Sequence, residues 1–195
     1  MIGQTDLKRL LAYSSVEHMG ILVLALGLGG AGSYGAALHL VNNGLTKGLM
    51  FLAVGNVVLF YRTSEAASIR GVLRRYPWSG ALLVAGLFAV TGSPPFGLFL
   101  SEITILGAAV RQGYAWLAVI MLGLLAIIFV GMARMILDVA YGEPDATDEP
   151  VRETAPLLVG PAALGLVVLL LGVHLPESLR EALGQAARAL GGMAP

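Results

Sequence analysis

Five long apolar stretches, at residues 10–28, 34–61, 78–110, 114–137 and 155–175, alternate with short polar segments along this chain. About 20 apolar residues in a helix cross the hydrocarbon core of a bilayer, so four of these stretches each predict one transmembrane helix. The third stretch is too long for one straight span and is interrupted by Thr91, Gly92, Ser93, Pro94 and Pro95. Consecutive prolines remove two backbone donors and clash with the preceding turn, so the helix breaks there. Each half alone, about 15 residues, is too short to cross. Backbone opened at that depth is tolerated only inside protein or beside a hydrated cavity. Further on, Leu179, Leu183, Ala187 and Leu190 share one side of a helix. That spacing predicts a short amphipathic helix, about 177–190, lying on the membrane surface or on a partner. The pattern as a whole predicts an all-α integral membrane protein with a single membrane domain. It has about five transmembrane helices, the third broken near its middle, and a C-terminal amphipathic helix.

Polar residues inside these stretches change the picture. Residues 34–61 carry one formal charge, Lys47, close to the middle. As a single helix they extend about 42 Å against a core of about 30 Å, which puts Lys47 near the bilayer midplane. Burying an ammonium there costs at least about 2.5 kcal/mol and must be offset by a carboxylate, a hydrated cavity or a functional need for a proton site. His39, Asn43 and Lys47 stand four residues apart and line one face of the same helix. In the first stretch Glu17 and His18 fit either an interfacial position, reaching headgroups, or a functional one. Beyond the break, Glu102 lies about two turns into the restarted helix, whose N-terminal dipole end points at the break. A broken helix with an ionisable residue marks binding sites and pathways in transporters. The plainer alternative is a proline kink with Glu102 satisfied by its neighbours.

The chain has 195 residues, 57% hydrophobic and 12% charged, with mean hydropathy +0.82. Twelve basic and twelve acidic residues cancel, which argues against nucleic acid as a partner. Without cysteine, the chain forms no thiolate metal centre, Fe–S cluster or disulfide of its own. The three histidines, His18, His39 and His174, lack metal-ligand spacing. No cofactor motif is visible: the glycine-rich stretch near residue 29 follows an apolar helix rather than a strand, and Ser14 and Ser15 have no triad partners. No secretory signal pattern opens the chain. Arg62, Arg70, Arg74 and Arg75 crowd one short segment, which the positive-inside rule makes cytoplasmic, together with Lys8 and Arg9 two spans earlier. Five spans then put the tail on the opposite side. Trp116 reads as an interfacial anchor and Arg134 as a snorkelling residue at the cytoplasmic face. The acidic segment 138–154 reads as a solvated surface loop.

The run TDLKRLLAYSSVEHMG, the helix HLVNNGLTK and the break GSPPFGLFLSE resemble the antiporter-like proton-channel subunits of respiratory complex I, membrane-bound hydrogenases and multisubunit cation/proton antiporters. The wording YSSVEHMG and the glutamate after GSPPFGLF are most similar to the hydrogenase-4 component F type. The resemblance implies a multi-pass protein of the cell's inner (plasma) membrane that moves protons beside other membrane subunits of a respiratory or hydrogenase complex, without a catalytic centre of its own. It implies that Lys47 is the central lysine of a mid-membrane polar axis. By the same resemblance His39 relays protons toward it, Glu102 ends the exit half-channel, and His18 lies on the hydrated axis. Asn43 stands where close relatives often place a second histidine, so a water held by Asn43 has to complete that relay. Family members have about fourteen helices in two inverted five-helix repeats. This chain corresponds to the final five, so the resemblance makes it a fragment, a split gene product or a chain completed by an N-terminal half carrying the other broken helix. The rival reading is a structural membrane module in which a closed Lys47–Glu102 pair only fixes helix packing.

Overall fold

The computed structural model describes residues 3–143 and 152–190. Among them regular structure is helical, and four helices are long and apolar enough to cross a membrane. The first, α1, spans Leu7–Leu28, beginning three residues ahead of the apolar run because Asp6 caps it: the Asp6 carboxylate accepts the Arg9 amide at 2.9 Å. Gly29 and Gly30, both at positive φ, close a turn that few other residues would accept, and α2 follows at once over Ala31–Tyr61. The chain then turns through Arg62 (φ 54°), a single 3₁₀ turn at Ala66–Ser68 and a short helix α3, Val72–Arg75. This segment is pinned to the N-terminus by the Leu7 amide donating to Ser64 and the Ala66 amide donating to Thr5.

The third span is two helices, α4 (Pro77–Val90) and α5 (Gly97–Arg111), separated at the glycine–proline break. At 14 and 15 residues they measure about 21 and 22 Å, so only together do they span the core. Next come α6, Ala115–Tyr141, and α7, Ala155–Val173. The segment read as a solvated acidic loop contributes more than surface. Its first residues continue α6, residues 144–151 lie outside the described ones, and Glu153 accepts the Ser79 amide at 2.7 Å and the Trp78 amide at 3.3 Å. A carboxylate on these orphan amides suits the positive end of the α4 dipole.

The organising element is α2, which touches α1, α4, α5, α7 and α8. Its polar residues are therefore interior, while its ends meet two apolar clusters. At the α3 end Phe60 stacks on Tyr76 at 4.1 Å within a core that includes Leu10, Met50 and Ile136. At the other end α8 (Glu177–Ala189) lays Leu183 and Ala187 on Tyr34, Ala37 and Leu38 of α2. The expected surface or partner helix thus docks on its own chain. Leu190 does not join that face and stays 56% exposed.

Candidate functional site

Two clusters of buried polar groups lie along α2, both formed with α1. In the first, the Lys47 ammonium donates to the Ser14 hydroxyl and, at 3.4 Å, to the Leu11 carbonyl. Ser14 spends its own proton on that carbonyl at 2.9 Å, so its lone pair faces the ammonium. Lys47 is 8% exposed and has no carboxylate in ion-pair contact among the described residues. The acid whose charge acts on it is Glu17, one turn beyond Ser14. Glu17 is midway along the 22-residue α1 rather than near its end. It is half-buried beside an apolar groove between α1 and α6, and its charge also acts on Glu102.

The second cluster joins three helices. His18 Nδ1 lies 3.1 Å from His39 Nε2, His39 Nδ1 lies 2.9 Å from Ser101 Oγ, and Ser101 Oγ donates to the Leu98 carbonyl at 2.8 Å. While Ser101 keeps its proton on that carbonyl, one order follows for the others with neutral rings. A carbonyl only accepts, so Ser101 gives it its single proton and must accept from His39 Nδ1–H. His39 Nε2 then accepts from His18 Nδ1–H, and His18 Nε2 ends the chain as a lone pair. With every proton reversed His18 ends it as a donor, and the Val90 backbone acts on this ring as an acceptor. Among the described residues His18 Nε2 is buried without a close hydrogen-bond partner, as is Glu102 Oε1. One ligating atom from each of His18, His39 and Glu102 lies within 4.8 Å of the others. Folding thus assembles a group that linear spacing does not display.

The break is built around this second cluster. Side chains of a helix lean toward its N-terminus, so Glu102 reaches back from α5 to the turn that precedes it. Gly92 holds φ 65°, and a Cβ there would fall on the Glu102 carboxylate. Asn42 donates from Nδ2 to the Gly97 carbonyl at 2.8 Å, and Gly172 of α7 leaves no room for a Cβ against the backbone of Pro95–Gly97. Ser93, Pro94 and Pro95 form the intervening turn, with Phe96 donating to the Ser93 carbonyl at 3.1 Å.

Of the residues singled out from sequence, His18, His39 and Glu102 come together, and Lys47 sits apart with α1. His39 and Lys47 are eight residues apart on α2, about 12 Å along its axis, and share no bond. Asn43 lies between them with its Oδ1 buried and unpartnered. No Lys47–Glu102 ion pair is formed among the described residues. Ser14, Ser101 and Asn42 are the residues that sequence reasoning missed. Ser14 and Ser101 were detectable only as i−4 and i−1 neighbours of His18 and Glu102, and Asn42 by nothing beyond its place next to Asn43.

A helical bundle with buried titratable groups and a helix interrupted beside a carboxylate defines a polytopic membrane module. Residues 1–129 match the family model described as NADH:quinone oxidoreductase/Mrp antiporter, transmembrane, and the chain belongs to that family. It is 34% identical over 177 residues to a hydrogenase-4 component F homolog of Methylacidiphilum infernorum, covering 90% of this chain and 36% of the relative. It is 31% identical to NADH-quinone oxidoreductase subunit N of Thiobacillus denitrificans, covering 95% and 38%. The chain therefore spans less than two fifths of the length of these relatives. Among solved structures it resembles a chain of respiratory complex I from Thermus thermophilus with bound NADH, at TM-score 0.81 and 28% identity, over 96% of this chain and 40% of that one. It shares the fold of a chain in the Mrp complex from Dietzia sp. DQ12-45-1b, at TM-score 0.85 and 21% identity, over 97% and 43%.

Proposed function

We propose that this chain carries one half-channel for protons in an antiporter-like subunit of a redox-driven respiratory or hydrogenase complex of the inner (plasma) membrane. The observation that carries this reading is the unpaired state of its buried titratable groups. Lys47 is held by a hydroxyl and a carbonyl, while His18 Nε2 and Glu102 Oε1 face the interior without close partners among the described residues. A closed structural pair would have satisfied them, because an unsatisfied buried polar atom costs about 1–3 kcal/mol. Lys47 acts as the inner proton site, and His18 and His39 pass a proton by exchanging the hydrogen bonds they share. Glu102, at the break, is the exit group. Asn43 cannot carry a proton; its unpartnered Oδ1 holds one of the several waters that a path over the roughly 12 Å between His39 and Lys47 requires. Other membrane subunits surround the module, and an N-terminal half with the second broken helix completes the wall around its axis.

The test is proton flux in vesicles containing the assembled complex. Lys47→Ala and Glu102→Gln are each expected to reduce flux at least tenfold, about 1.4 kcal/mol in barrier, with assembly intact. Normal flux in either variant assigns that residue to packing. Asn43→His is expected to be tolerated or to raise the flux, since it adds a titratable group between His39 and Lys47.

A further inference from the structure

A crevice of about 1180 Å³ opens at the end of the bundle that carries Arg62, Arg74 and Arg75, and no role in the proton axis accounts for it. One wall is the N-terminal lead-in, Gly3 to Thr5, with the turn at Ala66 and Ala67, and the other is α6. Its chemistry is graded along α6. Arg134 and Asp138 stand at the rim, and one and two turns below Arg134 come Val130 and then Ile127 with Ala126. Arg70 faces them from the opposite wall, paired with Asp138 at 3.3 Å, while Arg134 has no ion pair or hydrogen bond with any described residue. Val130 and Ile127 are 56% and 51% exposed, and the same face of α6 continues outward through Ile120 and Trp116.

A guanidinium without a partner above an exposed apolar gutter has the shape and charge order of a phospholipid bound head-up. The rim meets the phosphate and the gutter meets an acyl chain. Basic pockets between transmembrane helices on the cytoplasmic side select anionic headgroups. A protein helix is the less fitting occupant. The α1–α6 groove nearby presents Glu17 at mid-depth and so demands a donor from whatever covers it. This crevice presents no polar side chain from Val130 down to Ala126. Lys8 and Arg9, exposed on the first turn of α1, add to the same positive field. We propose that this crevice binds an anionic phospholipid, with its phosphate against Arg134 and Arg70 and one acyl chain along Val130, Ile127 and Ala126.

Native mass spectrometry of the purified full chain in mild detergent tests this. The probes are phosphatidylglycerol, phosphatidylcholine of the same acyl chains, and soluble glycerol 3-phosphate as competitor. Phosphatidylglycerol is expected to be retained about fivefold more tightly than phosphatidylcholine, the effect of one basic residue near the surface. Arg134→Gln is expected to abolish that preference and Arg134→Lys to keep most of it. Arg111→Gln, at the opposite end of the bundle, is expected to leave it unchanged. Ile127→Glu, on an exposed position of the gutter, is expected to lose the bound lipid with Arg134 still in place, so a folding defect in Arg134→Gln does not decide the matter. Equal retention of the two lipids overturns the proposal, as does a preference that survives Arg134→Gln. Displacement by glycerol 3-phosphate overturns it in favour of a site for a soluble phosphate.

Discussion

The side-chain amide of Asn42 donates to the Gly97 carbonyl across 2.8 Å, so the central helix grips the restarted helix at its first residue. The bond is buried and adds a second donor to the Gly97 carbonyl, tying α2 to a helix start whose own first amides lack intrahelical partners. Asn42→Ala is expected to destabilise the chain by about 1–3 kcal/mol, the cost of an unmade buried hydrogen bond. Amide exchange should accelerate at residues 97–99 and stay unchanged in the middle of α6. Uniform protection along α5 in the variant would show that the grip is dispensable.

Two glycines at the break fail a methyl group for different reasons. Gly172→Ala drives a Cβ into the backbone at Pro95–Gly97, which cannot step aside as a flexible side chain would. Overpacking of this kind costs about 1–3 kcal/mol and should appear as a lower thermal midpoint. Gly92→Ala combines a positive φ with a Cβ placed on the Glu102 carboxylate, so it should impair proton flux beyond its effect on stability. Gly123→Ala, with open space around its Cβ, is the control and should be neutral or stabilising. An equal loss of stability in all three would point to helix propensity in general rather than to the break.

At the N-terminus, Asp6 receives the Ser64 hydroxyl and the Arg9 amide, and these two donors hold its carboxyl below the usual carboxylate range. A group whose folded-state value is depressed stabilises the fold above its unfolded value and loses that contribution as pH falls through the folded value. Asp6→Ala should therefore cost about 1 kcal/mol at neutral pH, the usual cost of losing a helix cap. The gap between the two proteins should close as pH falls below about 3.9, the ordinary aspartate value. Thermal unfolding in detergent across that range measures it, and a gap independent of pH would remove the charge from the account.

What the sequence disclosed depended on whether the governing interaction was local. Two adjacent prolines break a helix wherever they fall, so α4 and α5 were readable from residues 91–95 alone. Lys47 was conspicuous because no other formal charge accompanies it over 34–61. The bond between His18 and His39 was not readable, because the two rings belong to different helices and meet only when α1 packs on α2. Asn42 was overlooked for its neighbour Asn43, since a helix turns about 100° per residue and only Asn43 shares the stripe of His39 and Lys47. The dock of α8 on α2 was hidden because an amphipathic face does not name its own partner.

The two ties between α1 and α2 run in opposite chain directions, Ser14 to Lys47 and His18 to His39. Their anchor points are one turn apart on α1 and about two turns apart on α2, and the long lysine side chain takes up the difference. Sliding one helix along the other by a turn would break both at once, leaving the Lys47 ammonium without these acceptors and His39 with Ser101 alone. The pair behaves as a braced frame rather than a piston. In such a frame the inexpensive event is a change in who holds a proton, so under the proposed function the bundle works by displaced charge and not by a mechanical stroke.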